Sequence, residues 1–144
     1  MKNKKLTPLT EPAVLEFLET ASNLVHRLDR ALSIRGMSFN EYRILSVLSE
    51  TAAVGCPRIE LASAVGLTPS AVTRALKPLE KLGYVISVRN NRDARQSLAT
   101  IKPAGLELLN DGRSILHELF RGLPLNALSQ QKIAEFQSRL HDLQ

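Results

Sequence analysis

Apolar residues recur at three- and four-residue steps along most of this chain and change to a two-residue step in one short stretch. Val14, Phe17, Leu18, Ala21, Leu24, Val25, Leu28 and Leu32 mark one face of a long first helix. Thr10 is its expected cap, Pro12 lies in its first turn and Gly36 is its stop. Ser38-Phe39-Asn40-Glu41 has the spacing of a capping box for a second helix reaching about Glu50, with Ile44, Leu45, Val47 and Leu48 inward. Residues 51–56 form a connector with room for a short strand. Pro57 opens a short third helix that ends at Val65 and Gly66. Thr68 caps a fourth, with Pro69 at its first position and Val72, Leu76, Leu79 and Leu82 as its buried face. Pro78 inside that helix removes one backbone hydrogen bond and should kink the last turn.

After Gly83 the period becomes two: Tyr84, Ile86 and Val88 alternate with Val85, Ser87 and Arg89. A polar tip over 90–95 and a return strand from Gln96 to Ile101 complete a β-hairpin. Pro103 opens a fifth helix through about Arg121, which Gly122 and Pro124 break. Ser129 is the expected cap of a last helix striped by Ile133, Phe136, Leu140 and Leu143. The pattern predicts a mostly α fold with a small β-hairpin. Residues 1–9 are a loose arm, 10–36 and 103–144 are flanking helices, and 37–102 form a central unit.

Composition sharpens this picture. With 144 residues the chain suffices for one compact domain, and without Trp its core must be chiefly Leu, Val, Ile and Ala. The net charge is +5, and its placement matters more than its size. Residues 58–95 hold Arg58, Arg74, Lys77, Lys81, Arg89, Arg92 and Arg95 against only Glu60, Glu80 and Asp93, so nearly the whole surplus sits there. A local basic excess is the electrostatic footprint of a partner rich in phosphate. The single cysteine, Cys56, excludes an intrachain disulfide and points to a reducing compartment. No apolar run follows the lysines of the first five residues, so neither a secretory leader nor a membrane span is expected.

Two short helices joined at a glycine, followed by a hairpin, is the order of a winged helix-turn-helix. Thr68, Ser70, Thr73, Arg74, Lys77 and Lys81 lie at or near the start of the fourth helix or on the face opposite its apolar stripe, where a DNA major groove would lie. Arg74 suits bidentate bonding to guanine, and the lysines suit phosphates. Arg89, Arg92 and Arg95 on the hairpin suit a narrow minor groove. Asp93 beside them would pair with an arginine and fix the shape of the tip.

The run Leu61-Ala62, Gly66-Leu67-Thr68, Val72-Thr73-Arg74 and Leu79-Glu80-Lys81-Leu82-Gly83-Tyr84-Val85, followed by Asp93-Ala94-Arg95, resembles the MarR family of bacterial transcriptional regulators. Tyr42 matches the aromatic residue of that family's second helix. One departure is Ile101-Lys102-Pro103-Ala104-Gly105, where the family has Leu-Thr-x-x-Gly. Lys102 cannot cap the fifth helix as threonine would, and Pro103 compensates in part. The resemblance implies a winged helix-turn-helix core flanked by N- and C-terminal dimerisation helices. It further implies a homodimer on double-stranded DNA with an inverted repeat, acting as a repressor, in the cytoplasm and at the nucleoid when bound. It also implies a small aromatic or anionic effector, for which His26, Arg30, Tyr42 and Arg43 on the first two helices are the candidates.

Other chemistry finds less support. No Ser-His-Asp set, phosphate loop or acid pair is present, so no enzyme and no cofactor are expected. His26, His117 and His141 lack the spacing of paired metal ligands. Cys56 reads as a small packed residue and not as a redox sensor. A protein-interaction module without specific DNA binding is the competing class, against which the clustered charge argues.

Overall fold

The computed structural model describes residues 8–51, 53–93, 96–124 and 126–141. Most of the N-terminal arm, Ala94 and Arg95 of the hairpin tip, and Leu143 of the last stripe lie outside the described residues.

Helix α1, Glu11–Leu32, starts after Thr10 with a proline in its first turn, as the sequence predicts, although the Thr10 side chain makes no cap bond. A 3₁₀ turn, Ser33–Arg35, carries the chain on to Gly36, which takes a left-handed φ of 66°. Helix α2, Phe39–Glu50, has the complete capping box: the Ser38 hydroxyl accepts from Glu41 N at 3.1 Å, and Ser38 N donates to Glu41 Oε2 at 2.7 Å. The connector yields a short strand, β1, Cys56–Pro57, so helix α3 begins at Arg58 and runs to Val65. Gly66, at φ 61°, turns the chain into helix α4, Pro69–Lys81, which runs through Pro78. Strands β2, Val85–Arg89, and β3, Ser97–Ile101, form the hairpin. Helices α5, Pro103–Arg121, and α6, Ala127–His141, close the described chain.

The sheet is antiparallel in the order β1-β3-β2. Cys56 pairs with Ala99, and the hairpin register runs from Val85–Ile101 to Arg89–Ser97. Leu32, Ile44, Leu45, Leu61, Val65, Val72, Leu76, Val85 and Leu109 are fully buried and join α1 to α5 and the sheet in one core.

Two expectations need correction. Leu82 is 62% exposed and is not part of the buried face of α4. The helix ends in a Schellman turn, in which Tyr84 N donates to Leu79 O at 2.8 Å and Gly83 N to Glu80 O at 3.1 Å. That turn leaves Leu82 at the C-cap, off the inward stripe. On β2 the core-facing residues are Val85 and, in part, Ser87; Ile86 and Val88 are about half exposed. The last helix begins two residues before Ser129. Asn126 is its cap, because its Oδ1 accepts from Ser129 N at 3.0 Å. Ile133 and Leu140 of the α6 stripe are exposed, and no residue of α6 is buried.

Candidate nucleic-acid interface

Helix α4 presents the candidate groove-facing residues because its apolar face is committed elsewhere. Val72, Leu76 and Leu79 turn into the core. At 3.6 residues per turn, Ser70, Thr73, Arg74, Lys77 and Lys81 fall within about 100° of one another on the opposite side. Ser70, Arg74, Lys77 and Lys81 are exposed, and Thr73 is half-buried. Thr68 acts as the N-cap: its hydroxyl accepts from Ala71 N at 3.2 Å. Pro69 has no N–H and Ala71 N is taken by the cap, so what the amino end of α4 offers at this surface is the Ser70 backbone and the positive end of the helix dipole.

The hairpin tip is closed by its own polar groups. Asn90 N donates to Gln96 O at 2.9 Å, Gln96 N to Asp93 O at 2.9 Å, and Arg92 N to Asn90 Oδ1 at 3.0 Å. Arg89, Arg92 and Asp93 are exposed on this tip, and Asp93 has a further interaction besides its carbonyl bond. Arg95, the third predicted wing arginine, lies outside the described residues. Arg89 and Arg92 border a cleft of about 820 Å³ between the hairpin, α3 and the segment before β1.

A linkage that sequence reasoning missed joins α3, α4 and β2. Arg58 Nη1 donates to Thr73 Oγ1 at 3.3 Å, and Nη2 donates to Glu80 Oε1 at 3.4 Å. Ser87 Oγ donates to the same Glu80 oxygen. Arg58 and Glu80 are each about 30% exposed in their side chains, so this ion pair is more shielded than the others described. The partners lie up to 22 residues apart, and no periodicity reveals such a pairing.

The joint between hairpin and flanking helix is made by backbone. Lys102 provides no side-chain cap to α5, in line with its chemistry, but Lys102 N donates to Tyr84 O at 2.9 Å. Gly105 packs against that same carbonyl; a Cβ there would overlap Tyr84 O and come within 2.9 Å of Ile101 Cγ1. The end of the recognition helix and the start of α5 are thereby held together without the missing cap.

The four effector candidates are not gathered into one pocket. His26 and Arg30 stand exposed on α1. Tyr42 stacks on Phe39 with ring centroids 6.3 Å apart and lies where a Cβ on Gly112 would touch it. The Arg43 guanidinium sits 5.8 Å from the Phe39 ring centroid, within cation–π range. A separate hollow of about 410 Å³ is lined by Asp29, Ser33, Gly36, Met37 and Ser38, and none of the four borders it. Cys56 is buried, and burial, with the Glu60 carboxylate nearby, pushes its thiol pKa up against a weaker opposing bond to Thr51.

This geometry defines a winged helix-turn-helix protein: a recognition helix with one polar, basic face, a two-stranded wing and a third short strand. Residues 35–96 match the model of the MarR family. The chain resembles Sco3205, a MarR family transcriptional regulator of Streptomyces coelicolor solved in complex with DNA. Identity is 26% over 97% of this chain and 92% of that one, with a TM-score of 0.78. MepR of S. aureus, also solved with DNA, shares 16% identity over 95% of this chain and all of that one, with a TM-score of 0.77. A MarR family regulator of Rhodococcus sp. RHA1 shares 20% identity over 92% and 95%, with a TM-score of 0.76. The search of curated proteins gives no match. The fold of this chain is that of the MarR-family winged-helix transcriptional regulators. Among the described residues, no helix is long and apolar enough to cross a membrane.

Proposed function

We propose that this protein is a sequence-specific DNA-binding transcriptional regulator that acts as a homodimer on an inverted repeat. The observation that carries the reading is the single face of α4 on which Ser70, Thr73, Arg74, Lys77 and Lys81 converge, free of the core. The likeness to Sco3205, which was solved with DNA, supports it. Arg74 reads a guanine edge, Lys77 and Lys81 hold phosphates, Thr68 and Ser70 seat the helix end, and the wing arginines Arg89, Arg92 and Arg95 enter the minor groove, with Asp93 shaping the tip.

The homodimer reading is supported by apolar faces that the single chain leaves open. Val14, Phe17 and Leu18 of α1, Leu106 and Phe120 of α5, and Leu128 and Ile133 of α6 are all substantially exposed. Residues 10–36 and 103–144 serve as the dimerisation helices, and each winged helix takes one half-site, about one helical turn from the other. Regulation is repression, relieved by a small aromatic or anionic effector that reaches His26, Arg30, Tyr42 or Arg43. The regulator works in the cytoplasm, at the nucleoid when bound.

Fluorescence anisotropy on DNA upstream of its own gene, at several salt concentrations, tests the DNA reading. Binding should weaken linearly in log–log form with salt. Arg74→Ala should relax base preference by about 1–3 kcal/mol, whereas Lys77→Ala should weaken all sequences alike. Dimerisation accompanied by equal, weak affinity for every DNA in a random pool would instead indicate a protein-interaction module.

A further inference from the structure

We propose that Arg58, which lies off the groove-facing surface of α4, is a positioning residue that sets the hydrogen-bonding sense of Thr73 and so restricts which base edge Thr73 accepts. The inference rests on the reading of α4 as a DNA-recognition helix. A threonine hydroxyl has one hydrogen and two acceptor lone pairs, so on its own it pairs with donor and acceptor edges alike. Arginine only donates. The Arg58 Nη1 bond to Thr73 Oγ1, at 3.3 Å, therefore uses the oxygen as an acceptor and turns the hydroxyl hydrogen away from the cation. Among the described residues that hydrogen has no acceptor, and Thr73 is half exposed on the face it shares with Arg74 and Lys77. It is thereby left available to an acceptor outside the protein.

The guanidinium is held in that role from the other side. Its Nη2 donates to Glu80 Oε1 at 3.4 Å, and Ser87 Oγ of the wing strand donates to the same oxygen. Swinging Arg58 toward a phosphate would break the bonds to both Thr73 and Glu80 and leave a shielded carboxylate without its cation. Arg58 is thus tied to protein, and Thr73, which accepts from a cation with one lone pair, faces the groove as a strengthened donor and a weakened acceptor. In the major groove, guanine N7 and O6, adenine N7 and thymine O4 accept such a bond, while the cytosine edge offers only a donor. The base facing Thr73 is therefore preferentially a purine or thymine, with cytosine disfavoured.

The test uses the full-length protein. A random-sequence selection with the wild type yields an operator, and Thr73→Val locates the base pair that Thr73 reads. Affinities are then measured for every base at that position, and with 7-deazapurines that lack the N7 acceptor, for wild type, Arg58→Met and Arg58→Lys. Arg58→Met should admit cytosine at that position alone, relaxing discrimination by roughly five- to tenfold, the scale of one hydrogen bond. The slope of affinity against salt should not change, and Arg58→Lys should restore part of the discrimination. Unaltered base preference in Arg58→Met overturns the inference, as does a salt slope smaller by about one, which would mark Arg58 as a phosphate contact. If Arg58→Met does not fold, Arg58→Lys and Glu80→Gln read the same base pair and salt slope. A wild type that selects no sequence overturns the DNA reading itself; a wild type that selects one while the variants keep its preference overturns only the role of Arg58.

Discussion

Helices α4 and α1 carry apolar stripes of the same period and meet opposite fates. Val72, Leu76 and Leu79 of α4 are sealed inside the chain, whereas Phe17 and Leu18 of α1 are each about half exposed. Only the last turns of α1, at Leu28 and Leu32, reach the core. Over its first half α1 meets α6, where Phe17 and Phe136 pack with ring centroids 5.1 Å apart and planes inclined by 59°. A stripe therefore states that a face must be covered and leaves open whether the cover comes from the same chain or another. The middle of this protein solves the problem within itself, and its two ends do not.

The sharpest way to break the comparison is to weaken the self-sufficient half. Leu76→Ala removes a fully buried side chain from the centre of the core. It should cost about 2–5 kcal/mol, read as a lower urea midpoint at unchanged slope. Gly105→Ala comes next and probes the seam between the halves. Its Cβ would meet the Tyr84 backbone carbonyl, which cannot move aside without shifting the end of α4 or the start of α5. A loss of about 1–3 kcal/mol is expected, together with weaker DNA binding, because the same carbonyl ties Lys102 N to the recognition unit. Unchanged stability would mean that α5 is free to slide.

Leu18→Glu addresses the open half. In an isolated chain this residue faces water, so the substitution should change stability by less than about 0.5 kcal/mol. In a dimer that covers α1 it would bury an unpaired charge. The wild type should thus unfold at a midpoint that rises with protein concentration, and the variant at one that does not. Equal, concentration-independent midpoints for the two proteins would count against α1 as part of an interface.

How much of this was legible in the sequence follows from what each feature depends on. The capping box at Ser38 and Glu41, the Thr68-Pro69 start of α4 and the break of period after Gly83 are local, and the structure has each of them where the sequence predicts it. Leu82 continues the apolar spacing of α4 but sits at the C-cap, where the chain no longer turns as a helix, so its spacing does not predict its burial. Asn126 and Ser129 are both good caps by residue type, and only the bond from Ser129 N to Asn126 Oδ1 distinguishes them. The basic face of α4 was legible as well, since it is the complement of the apolar one. The Arg58–Glu80–Ser87 linkage was not, because it depends on three elements meeting and its members look like ordinary surface residues in the sequence.

Cys56 gives the smallest effect and belongs to the closed half of the comparison. Its side chain is buried on β1 opposite Ala99, and its thiol bonds only weakly, with Sγ 3.6 Å from Pro57 O. Burial is the main cause that raises its pKa, and the Glu60 carboxylate adds to it. At neutral pH the thiol is therefore protonated, and a thiol-reactive dye such as DTNB should label the native protein only as fast as the β1 region opens. The sign of the pH effect follows from the same shift. A folded-state pKa above the unfolded value means that the contribution to stability is complete below the unfolded thiol pKa and is lost as pH rises through the folded one. Wild type should lose stability relative to Cys56→Ala on going from neutral to alkaline pH, with no divergence on the acid side. Fast labelling at neutral pH, or divergence that begins below neutrality, would place the thiol in an open, cation-facing setting and move β1 from the closed half of the molecule to the open one.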